Sequence, residues 1–291
     1  MADKRWIQEL LFDALDLRMS YAAERLRDER RSGHQDLLLF DHARFGKVLM
    51  LDGAVQLTTG DEFVYHEMMS HVPILAHGRA REVLIVGGGD CGLAEEVLKH
   101  PSIERLTQVE IDAAVVDFAK EHLSELTAPV FADTRFDLII ADGMEYVAKT
   151  ARRFDVVMVD STDPAGPGAA LFSRQFYAAA KRCLAPGGVL VTQNGVPFLQ
   201  PDELASTIGH LRGLFADAAC YVAAVPSYVG GHLAMGWGSD NPRLRRASVK
   251  TIARRYREAG EFATRYWTPE VHAAAFALPR FIAAQLAEIK S

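Results

Sequence analysis

The stretch Val83-Leu84-Ile85-Val86-Gly87-Gly88-Gly89-Asp90-Cys91-Gly92 joins an apolar run of strand length to a turn rich in glycine. A buried strand that runs through a glycine turn into a helix is the place where doubly wound α/β sheets bind nucleotides. Gly87, Gly89 and Gly92 match the spacing G-x-G-x-x-G, and Glu110 follows about 20 positions later, where a carboxylate accepts both hydrogen bonds of a ribose diol. The stretch therefore predicts an α/β fold that binds a ligand containing ribose.

Asp90 narrows the chemistry of that ligand. A dinucleotide site uses the helix N-terminus after the glycine turn to hold a pyrophosphate, and a carboxylate at this point would repel it. The position of Asp90 favours instead a nucleoside that carries a cationic tail. The alternative is that Asp90 only caps the helix through its side chain, as aspartate often does.

Outward from this stretch, apolar runs alternate with amphipathic stretches of helix length, a pattern typical of βα units on a parallel sheet. The predicted strands are Val83 to Val86, Leu106 to Val109, Leu138 to Ala141, Val156 to Val159 and Val189 to Thr192, with predicted helices over 93–99, 113–123 and 174–184. Pro186-Gly187-Gly188 predicts a break before the fifth strand. Apolar runs between Gln35 and about Tyr65 predict a small antiparallel β module. We expect a β-strand domain over 1–77 and an α/β domain over 78–291.

Further carboxylates follow the predicted strands. Asp142 follows the third strand, and Asp160 and Asp163 follow the fourth. Because the carboxyl ends of parallel strands open on one crevice, we expect these acids to meet Asp90 and Glu110 in one negatively charged site. Any one of them could instead cap the helix after it. The cluster predicts a polycationic ligand.

The composition excludes several classes of protein. Of 291 residues, 49% are hydrophobic and 24% charged, and the formal net charge of −6 disfavours nucleic acid or an anionic membrane surface as a partner. No run approaches the roughly 20 apolar residues of a membrane helix, and no signal segment is apparent, so we expect a cytoplasmic protein. Cys91, Cys183 and Cys220 have no metal-binding spacing, and His66 and His71 are spaced for different helical faces, so we expect no metal.

At this point the chain resembles the spermidine synthase family of polyamine aminopropyltransferases. The resemblance runs from Trp6 to the C-terminal helix and rests on His34-Gln35-Asp36, Leu51-Asp52-Gly53, Asp61-Glu62-Phe63-Val64-Tyr65-His66-Glu67-Met68, Gly87-Gly88-Gly89-Asp90, Val109-Glu110-Ile111-Asp112, Asp160-Ser161-Thr162-Asp163-Pro164, Gly166-Pro167 and Ala274-Ala275-Phe276-Ala277-Leu278-Pro279. It implies a methyltransferase-like Rossmann domain beside a small N-terminal antiparallel β-domain. It also implies aminopropyl transfer from decarboxylated S-adenosylmethionine, the co-substrate, to a diamine, with no metal and no permanently bound cofactor.

The resemblance also implies roles for individual residues. The nucleoside would lie against Gln35, Glu110, Asp142, Gly143 and Pro167, with Glu110 on the ribose, Asp142 near the adenine and Asp90 on the aminopropyl ammonium. The acceptor amine would lie against Asp160, Ser161, Thr162, Asp163, Gln193 and Tyr228, with Asp160 as general base and Tyr65 and His66 beside it. His66, Tyr65 and Tyr228 could equally be ordinary core residues.

Several alternatives stay open at this stage. Putrescine, giving spermidine, is the expected acceptor, with cadaverine, agmatine and spermidine as others. Rival functions are a nicotinamide-dependent dehydrogenase, which Asp90 opposes, a methyltransferase, and a non-catalytic polyamine- or nucleoside-binding relative. Cys91 stands where the family loop usually has glycine, which leaves open whether its thiol faces the ligand. We expect a homodimer or homotetramer joined partly through the N-terminal domains.

Overall fold

A computed structural model describes residues 5–164 and 166–289, without the side chains of residues 166 and 167. The chain begins with six strands, β1 (Arg5–Glu9), β2 (Met19–Ala23), β3 (Arg25–Arg31), β4 (Asp36–His42), β5 (Gly46–Leu51) and β6 (Ala54–Thr58). The first two form an antiparallel hairpin, and the other four form an antiparallel sheet in chain order. The strands β4 to β6 confirm the predicted antiparallel module.

Helices alternate with strands after this module. The helices are α1 (Glu62–His77), α2 (Gly92–Leu98), α3 (Ala113–His122), α4 (Ser124–Ala132), α5 (Gly143–Lys149), α6 (Arg174–Cys183), α7 (Pro201–Arg212), α8 (Val249–Glu258), α9 (Pro269–Ala274) and α10 (Arg280–Ala287). The strands are β7 (Glu82–Gly87), β8 (Arg105–Glu110), β9 (Phe136–Ile140), β10 (Phe154–Asp160), β11 (Leu184–Asn194), β12 (Asp217–Ala223) and β13 (Leu233–Ser239). A short 3-10 helix spans Gly166–Phe172.

The seven later strands form one sheet in the order β12-β13-β11-β10-β7-β8-β9. The strands β7 to β11 run parallel, and β13 is antiparallel to both of its neighbours. This order and the helical crossovers confirm the expected methyltransferase-like Rossmann fold, with its smaller N-terminal β-domain.

Both faces of the seven-stranded sheet are covered by helices, which explains why its strands read as continuous apolar runs. In β7, Val83 and Ile85 pack with residues of α1, α2 and α8, while Leu84 and Val86 pack with residues of α5, α6, α7 and α10. These four side chains are at most 1% exposed. The strand that leads into the glycine turn is therefore buried on both of its faces.

The N-terminal sheet lies between its own hairpin and α3. One face contributes Leu37, Leu39 and Leu49 to a cluster with Phe118 of α3. The opposite face contributes Phe40, Val48 and Met50 to a cluster with Ile7 and Tyr21 of the hairpin. This packing brings β1 and the loop before β4 beside the carboxyl ends of the parallel strands.

Two details differ from the sequence analysis. Helix α6 ends at Cys183 and β11 begins directly at Leu184, so the predicted break at Pro186-Gly187-Gly188 is wrong. The pairing passes from Phe154 opposite Leu184 to Val156 opposite Val189, so the extra residues form a bulge inside β11. The sequence analysis also did not predict β12 and β13.

Helix α1 contributes Val64, Met68 and Val72 to the core of the seven-stranded sheet. The expected domain boundary lies after this helix, at residue 77, and it stays a prediction. In the part of the chain that the structure describes, no helix combines the length and the apolar character needed to cross a membrane.

Candidate active site

The carboxyl ends of β7 to β10 meet at one cleft, which β1 and the loop before β4 border on the other side. The volume of the cleft is about 1440 Å³ when the open space at its mouth is included. Thirteen predicted site residues line it, namely Gln35, Tyr65, His66, Asp90, Glu110, Asp142, Gly143, Asp160, Ser161, Thr162, Asp163, Gln193 and Tyr228. The side chain of Pro167 lies outside the described residues. The structure thus brings these residues together, while their individual roles stay predictions.

The glycine turn lies directly against the end of β10. Gly87 and Gly88 have φ of +92° and +71°, in the region that favours glycine. A Cβ on Gly87 would lie 2.0 Å from the backbone oxygen of Asp160, and one on Gly88 would lie 2.8 Å from Asp160 Oδ2. Glycine is therefore needed at both positions because it lets the turn approach the Asp160 carboxylate.

Asp160 is half-buried beside Tyr65, which belongs to the first turn of α1. Tyr65 Oη donates a hydrogen bond to Asp160 Oδ1 at 2.6 Å, and the Tyr228 ring packs edge-on against the Tyr65 ring. Asp160 Oδ2 is shielded from solvent and has no hydrogen-bond partner among the described residues. Burial and then the charge of Asp90 raise the pKa of Asp160 to about 6, against the opposing effects of His66 and Tyr65. Asp160 can thus be ionised at neutral pH and still accept a proton.

A histidine separates Asp90 from Glu62. Asp90 Oδ1 accepts a hydrogen bond from Gly92 N at 2.7 Å and lies 3.6 Å from His66 Nε2, while His66 Nδ1 lies 2.8 Å from Glu62 Oε2. Burial lowers the pKa of His66, but the hydrogen bond to Glu62 and the charges of Asp90 and Glu62 outweigh it and raise that pKa to about 9. His66 is therefore cationic at neutral pH and offsets part of the negative charge of the cleft.

Capping and ligand binding are compatible for Asp90. Its Oδ1 accepts a hydrogen bond from Gly92 N, the first residue of α2, although Cys91 and not Asp90 directly precedes the helix. Its Oδ2 accepts no hydrogen bond from the described part of the chain, and the residue lines the cleft. Asp142 combines the same two features, because its Oδ1 accepts from Met144 N at 2.7 Å and caps α5.

Glu110 is fixed at the end of β8 by the chain that follows it. Its Oε1 accepts a hydrogen bond from Asp112 N at 2.9 Å, and burial raises its pKa to about 7. Asp112 in turn accepts hydrogen bonds from Ser32 Oγ at 2.5 Å and from Gln35 Nε2 at 3.4 Å. The loop before β4 is thereby tied to the carboxyl end of β8.

The opposite end of the cleft holds polar atoms without partners. Ser161 Oγ and Gln193 Oε1 are shielded from solvent and have no hydrogen-bond partner among residues 5–164 and 166–289. Buried polar groups are normally hydrogen-bonded. Asp163 Oδ1 does have a partner, since it accepts a hydrogen bond from Gln200 Nε2 at 2.5 Å. This end of the cleft therefore offers unused hydrogen-bonding capacity to a polar ligand.

Glu9 and Gln200 are among the cleft residues that the sequence analysis did not predict. Glu9 of β1 is 5% exposed, and its Oε1 accepts a hydrogen bond from Val55 N at 3.0 Å. Gln200 lies just before α7 and bonds Asp163. The inward position of Glu9 could have been predicted from the alternation Trp6-Ile7-Gln8-Glu9, since a strand puts Glu9 on the same face as Ile7.

The thiol of Cys91 faces the core and not the cleft. The side chain is 0% exposed, and the residue precedes α2 with a φ of +66° that glycine would adopt without strain. Burial raises its pKa to about 12. Cys91 in place of the family's glycine therefore makes the positive φ less favourable. It adds no reactive group to the cleft.

We expect the folded protein to resist thiol reagents. Cys91, Cys183 and Cys220 are free and at most 1% exposed, and burial raises the pKa of each thiol, whereas the thiolate is the reactive form. Titration with a chromogenic disulfide should release almost no chromophore in buffer and three equivalents of chromophore per chain in guanidinium. Rapid reaction of one equivalent in buffer, lost in Cys91→Gly, would contradict the buried position of that thiol.

One surface cluster has the ligand types of a metal site. Asp28 of the edge strand β3 and Glu121 and His122 at the end of α3 bring their ligand atoms within 4.8 Å of one another. Arg30 bonds both carboxylates and His122 bonds Asp28. The cluster is thus satisfied by its own ion pairs, and none of its members lines the cleft.

Comparisons with known proteins agree with this arrangement. Residues 62–248 match the family model of the spermine/spermidine synthase domain, and residues 6–59 match that of the spermidine synthase tetramerisation domain. Polyamine aminopropyltransferase 1 of Pseudomonas aeruginosa is 51% identical over 275 residues, which cover 94% of this chain and 95% of that protein. A polyamine aminopropyltransferase of Ruegeria sp. is 50% identical over 284 residues, which cover 97% and 98%.

A solved structure extends the likeness to three dimensions. The crystal structure of a spermidine synthase in complex with the transition-state analogue AdoDATO is 32% identical, with a TM-score of 0.91 over 99% of this chain and 97% of that one. Sequence and fold therefore agree over nearly the whole chain. The chain belongs to the spermidine synthase family, and it is an enzyme of the polyamine aminopropyltransferase class.

Proposed function

We propose that the chain transfers the aminopropyl group of decarboxylated S-adenosylmethionine to a diamine, with putrescine as the expected acceptor and spermidine and methylthioadenosine as products. The observation that carries this proposal is the half-buried Asp160 carboxylate, held at Oδ1 by Tyr65, with an Oδ2 that is shielded from solvent and has no partner among the described residues. Buried charges are normally paired. A free carboxylate oxygen among further acids fits a substrate that arrives as a cation.

The donor would occupy the side of the cleft formed by β7, β8 and β9. Glu110 would accept the ribose hydroxyls, Asp142 and Gly143 would contact the adenine, and Gln35 and Pro167 would complete the nucleoside site. The AdoDATO complex of the related spermidine synthase supports a donor-like ligand in this fold.

The aminopropyl ammonium of the donor would bind at Asp90, with His66 and Tyr65 nearby. Asp90 Oδ2 is available for it, and His66 beside Asp90 would keep the charge of the pocket in balance. Ordinary S-adenosylmethionine carries a carboxylate that would meet Asp90, and this repulsion would favour the decarboxylated donor.

The reaction is a displacement at carbon. The acceptor nitrogen forms a bond to the methylene next to the sulfonium, and the electron pair of the broken C–S bond returns to sulfur, which leaves as the thioether methylthioadenosine. An alkylammonium has a pKa of about 10.4, so the acceptor enters protonated and must lose a proton to react. Asp160 takes that proton, and the electron pair freed on the nitrogen then forms the N–C bond. Alignment of nitrogen, carbon and sulfur contributes about 7 to 11 kcal/mol at best.

The acceptor site would have carboxylates at both ends. Asp160 and Asp163 would hold the reacting amine with Ser161, Thr162, Gln193 and Tyr228 around it. Glu9 would bind the second ammonium, since it lines the cleft close enough to Asp163 for that charge to add to the effect of burial and raise the pKa of Glu9. A diamine satisfies both ends, whereas a monoamine leaves Glu9 without a partner.

Methylthioadenosine release across a panel of amines tests this acceptor site. We expect the highest kcat/KM with putrescine, lower values with cadaverine, agmatine and spermidine, and poor use of butylamine. Glu9→Gln should raise the KM for putrescine about tenfold, because one charged hydrogen bond is lost. Asp13→Asn, which removes an exposed carboxylate next to β1, is the matched control and should leave KM unchanged. Equal use of butylamine and putrescine would contradict the role of Glu9.

We also propose a homodimer or homotetramer joined partly through the N-terminal domains. Support comes from the match of residues 6–59 to the tetramerisation domain and from Trp6, Leu10 and Leu15, which are exposed apolar residues in this part of the chain. Sedimentation equilibrium of the full chain should give a multiple of the 32.1 kDa protomer. A monomer at micromolar concentration would contradict this assembly.

A further inference from the structure

A buried polar row lies behind the acceptor end of the cleft, at the start of α7. Gln200 Nε2 donates to Asp163 Oδ1 at 2.5 Å, and Gln200 Oε1 accepts from Val196 N at 2.8 Å. Asn194 Nδ2 donates to Glu203 Oε1 at 3.1 Å. Glu203 Oε2 is shielded from solvent and has no partner within the described ranges. Glu203 thus has one carboxyl oxygen without a hydrogen bond, next to the Gln200 amide, whose nitrogen and oxygen both have partners.

This oxygen of Glu203 lies near the amide oxygen of Gln200. A Cβ on Gly195 would lie 2.2 Å from Glu203 Oε2 and 2.5 Å from Gln200 Oε1, so both oxygens occupy the same side of Gly195. The orientation of the Gln200 amide is fixed by its two partners, because only the nitrogen can donate to Asp163 and only the oxygen can accept from Val196. A proton on Glu203 would allow a hydrogen bond to Gln200 Oε1, whereas two oxygens without a proton would repel each other.

The surroundings of Glu203 favour the protonated form of its carboxyl group. Burial raises the pKa of Glu203 to about 8, and the charge of Asp163 adds to it against the hydrogen bond from Asn194. Asp163 follows β10, and Tyr177 of α6 is the other titratable group that faces Glu203. Asn194 of β11 contributes a neutral amide. No cation among these neighbours compensates an ionised Glu203.

We propose that Glu203, in its neutral form, is a positioning residue for the acceptor site. Its carboxyl O–H donates to Gln200 Oε1, and Gln200 holds the Asp163 carboxylate toward the acceptor amine. Ionised Glu203 would present a second acceptor to Gln200 Oε1, so the amide would turn over and Asp163 would lose its hydrogen bond. This inference rests on the proposed function, because Asp163 is an acceptor-binding residue only if that function is correct.

Infrared difference spectra test the protonated carboxyl without any turnover. The difference between wild type and Glu203→Gln at pH 7 should contain a carbonyl band of a protonated carboxyl group, and this band should disappear as the pH rises through about 8. A spectrum without this band at pH 7 would overturn the inference. Asp202→Asn, at the exposed neighbouring position of α7, should leave the band in place.

The acceptor KM tests the positioning step. Glu203→Gln retains a hydrogen-bond donor and no charge, so its acceptor KM at pH 7 should match wild type, whereas Glu203→Ala should raise it roughly threefold to tenfold, with Asp202→Asn unchanged. The ratio of wild-type KM to Glu203→Gln KM should rise by a similar factor between pH 7 and 9, and titration of the amine itself cancels in that ratio.

Contrary outcomes are distinguishable. A ratio that falls with pH would mean that ionised Glu203 attracts the amine, and equal KM values in all variants would mean no positioning role. Either result overturns the inference while the proposed function stands. If no amine releases methylthioadenosine, the proposed function fails together with the acceptor role of Asp163, and the infrared band alone then decides whether Glu203 is neutral.

Discussion

Asp160→Asn is expected to lower kcat by roughly 10²- to 10⁴-fold, the usual contribution of a general base. Asparagine retains the shape of the side chain and an oxygen for the hydrogen bond from Tyr65, which is 2.6 Å long in the structure. It removes the negative charge and, with it, the ability to take the proton of the acceptor amine, while Asp163 still holds that amine. The donor KM should therefore change little, which single-turnover and steady-state kinetics measure separately.

The pH dependence of the same step has a definite sign. Burial and the charge of Asp90 raise the pKa of Asp160 to about 6, and only the ionised carboxylate accepts a proton. Below pH 6 the wild-type kcat/KM for the acceptor should fall with pH, and this decline should be absent in Asp160→Asn. Asp117→Asn removes an exposed carboxylate on α3 and is the control for net charge. Wild-type turnover in Asp160→Asn would remove Asp160 from the role of base.

Asp90→Asn is expected to raise the donor KM by roughly 10- to 100-fold, because a hydrogen bond to a charged group contributes about 1.5 to 3 kcal/mol. Asparagine can still accept the hydrogen bond from Gly92 N, which is 2.7 Å long, so helix α2 should begin as before. The variant therefore separates the charge of Asp90 from its capping contact. Donor binding by calorimetry and unfolding by circular dichroism measure the two effects independently.

The same substitution should weaken the rejection of ordinary S-adenosylmethionine. In the native cleft the carboxylate of that molecule would meet Asp90, whereas in Asp90→Asn the cationic His66, 3.6 Å from Asp90, would be left to attract it. We expect the inhibition constant of S-adenosylmethionine to fall while the donor KM rises. If both constants keep their wild-type values, Asp90 does not bind the aminopropyl ammonium.

Local sequence patterns predicted the central part of the fold well. The strand β7 is apolar along its whole length because helices cover both faces of the sheet, and this property is visible without a structure. The strands β12 and β13 are harder to predict from the sequence. Their segments Asp217-Ala218-Ala219-Cys220 and Gly236-Trp237-Gly238 mix small, polar and aromatic residues. Their pairing depends on long-range contacts. The bulge at Gly187 reads locally as a break, although the strand continues through it.

The cleft was predictable where its residues end strands or follow glycine. Asp90 and Glu110 stand at such positions, so the parallel sheet alone brings them together. Glu9 and Gln200 come from parts of the chain far from these strand ends, and only tertiary packing carries them to the acceptor end. Likewise, nothing in the local sequence of Glu203 indicates that Gln200 Oε1 lies near its carboxyl group.

The most direct test of the account follows both products of the wild-type reaction. Purified chain with decarboxylated S-adenosylmethionine and putrescine should give methylthioadenosine and spermidine in equal amounts by mass spectrometry. The same chain with ordinary S-adenosylmethionine should give neither. Methylation of any acceptor, or donor binding without product in the presence of every amine of the panel, would contradict aminopropyl transfer in this cleft.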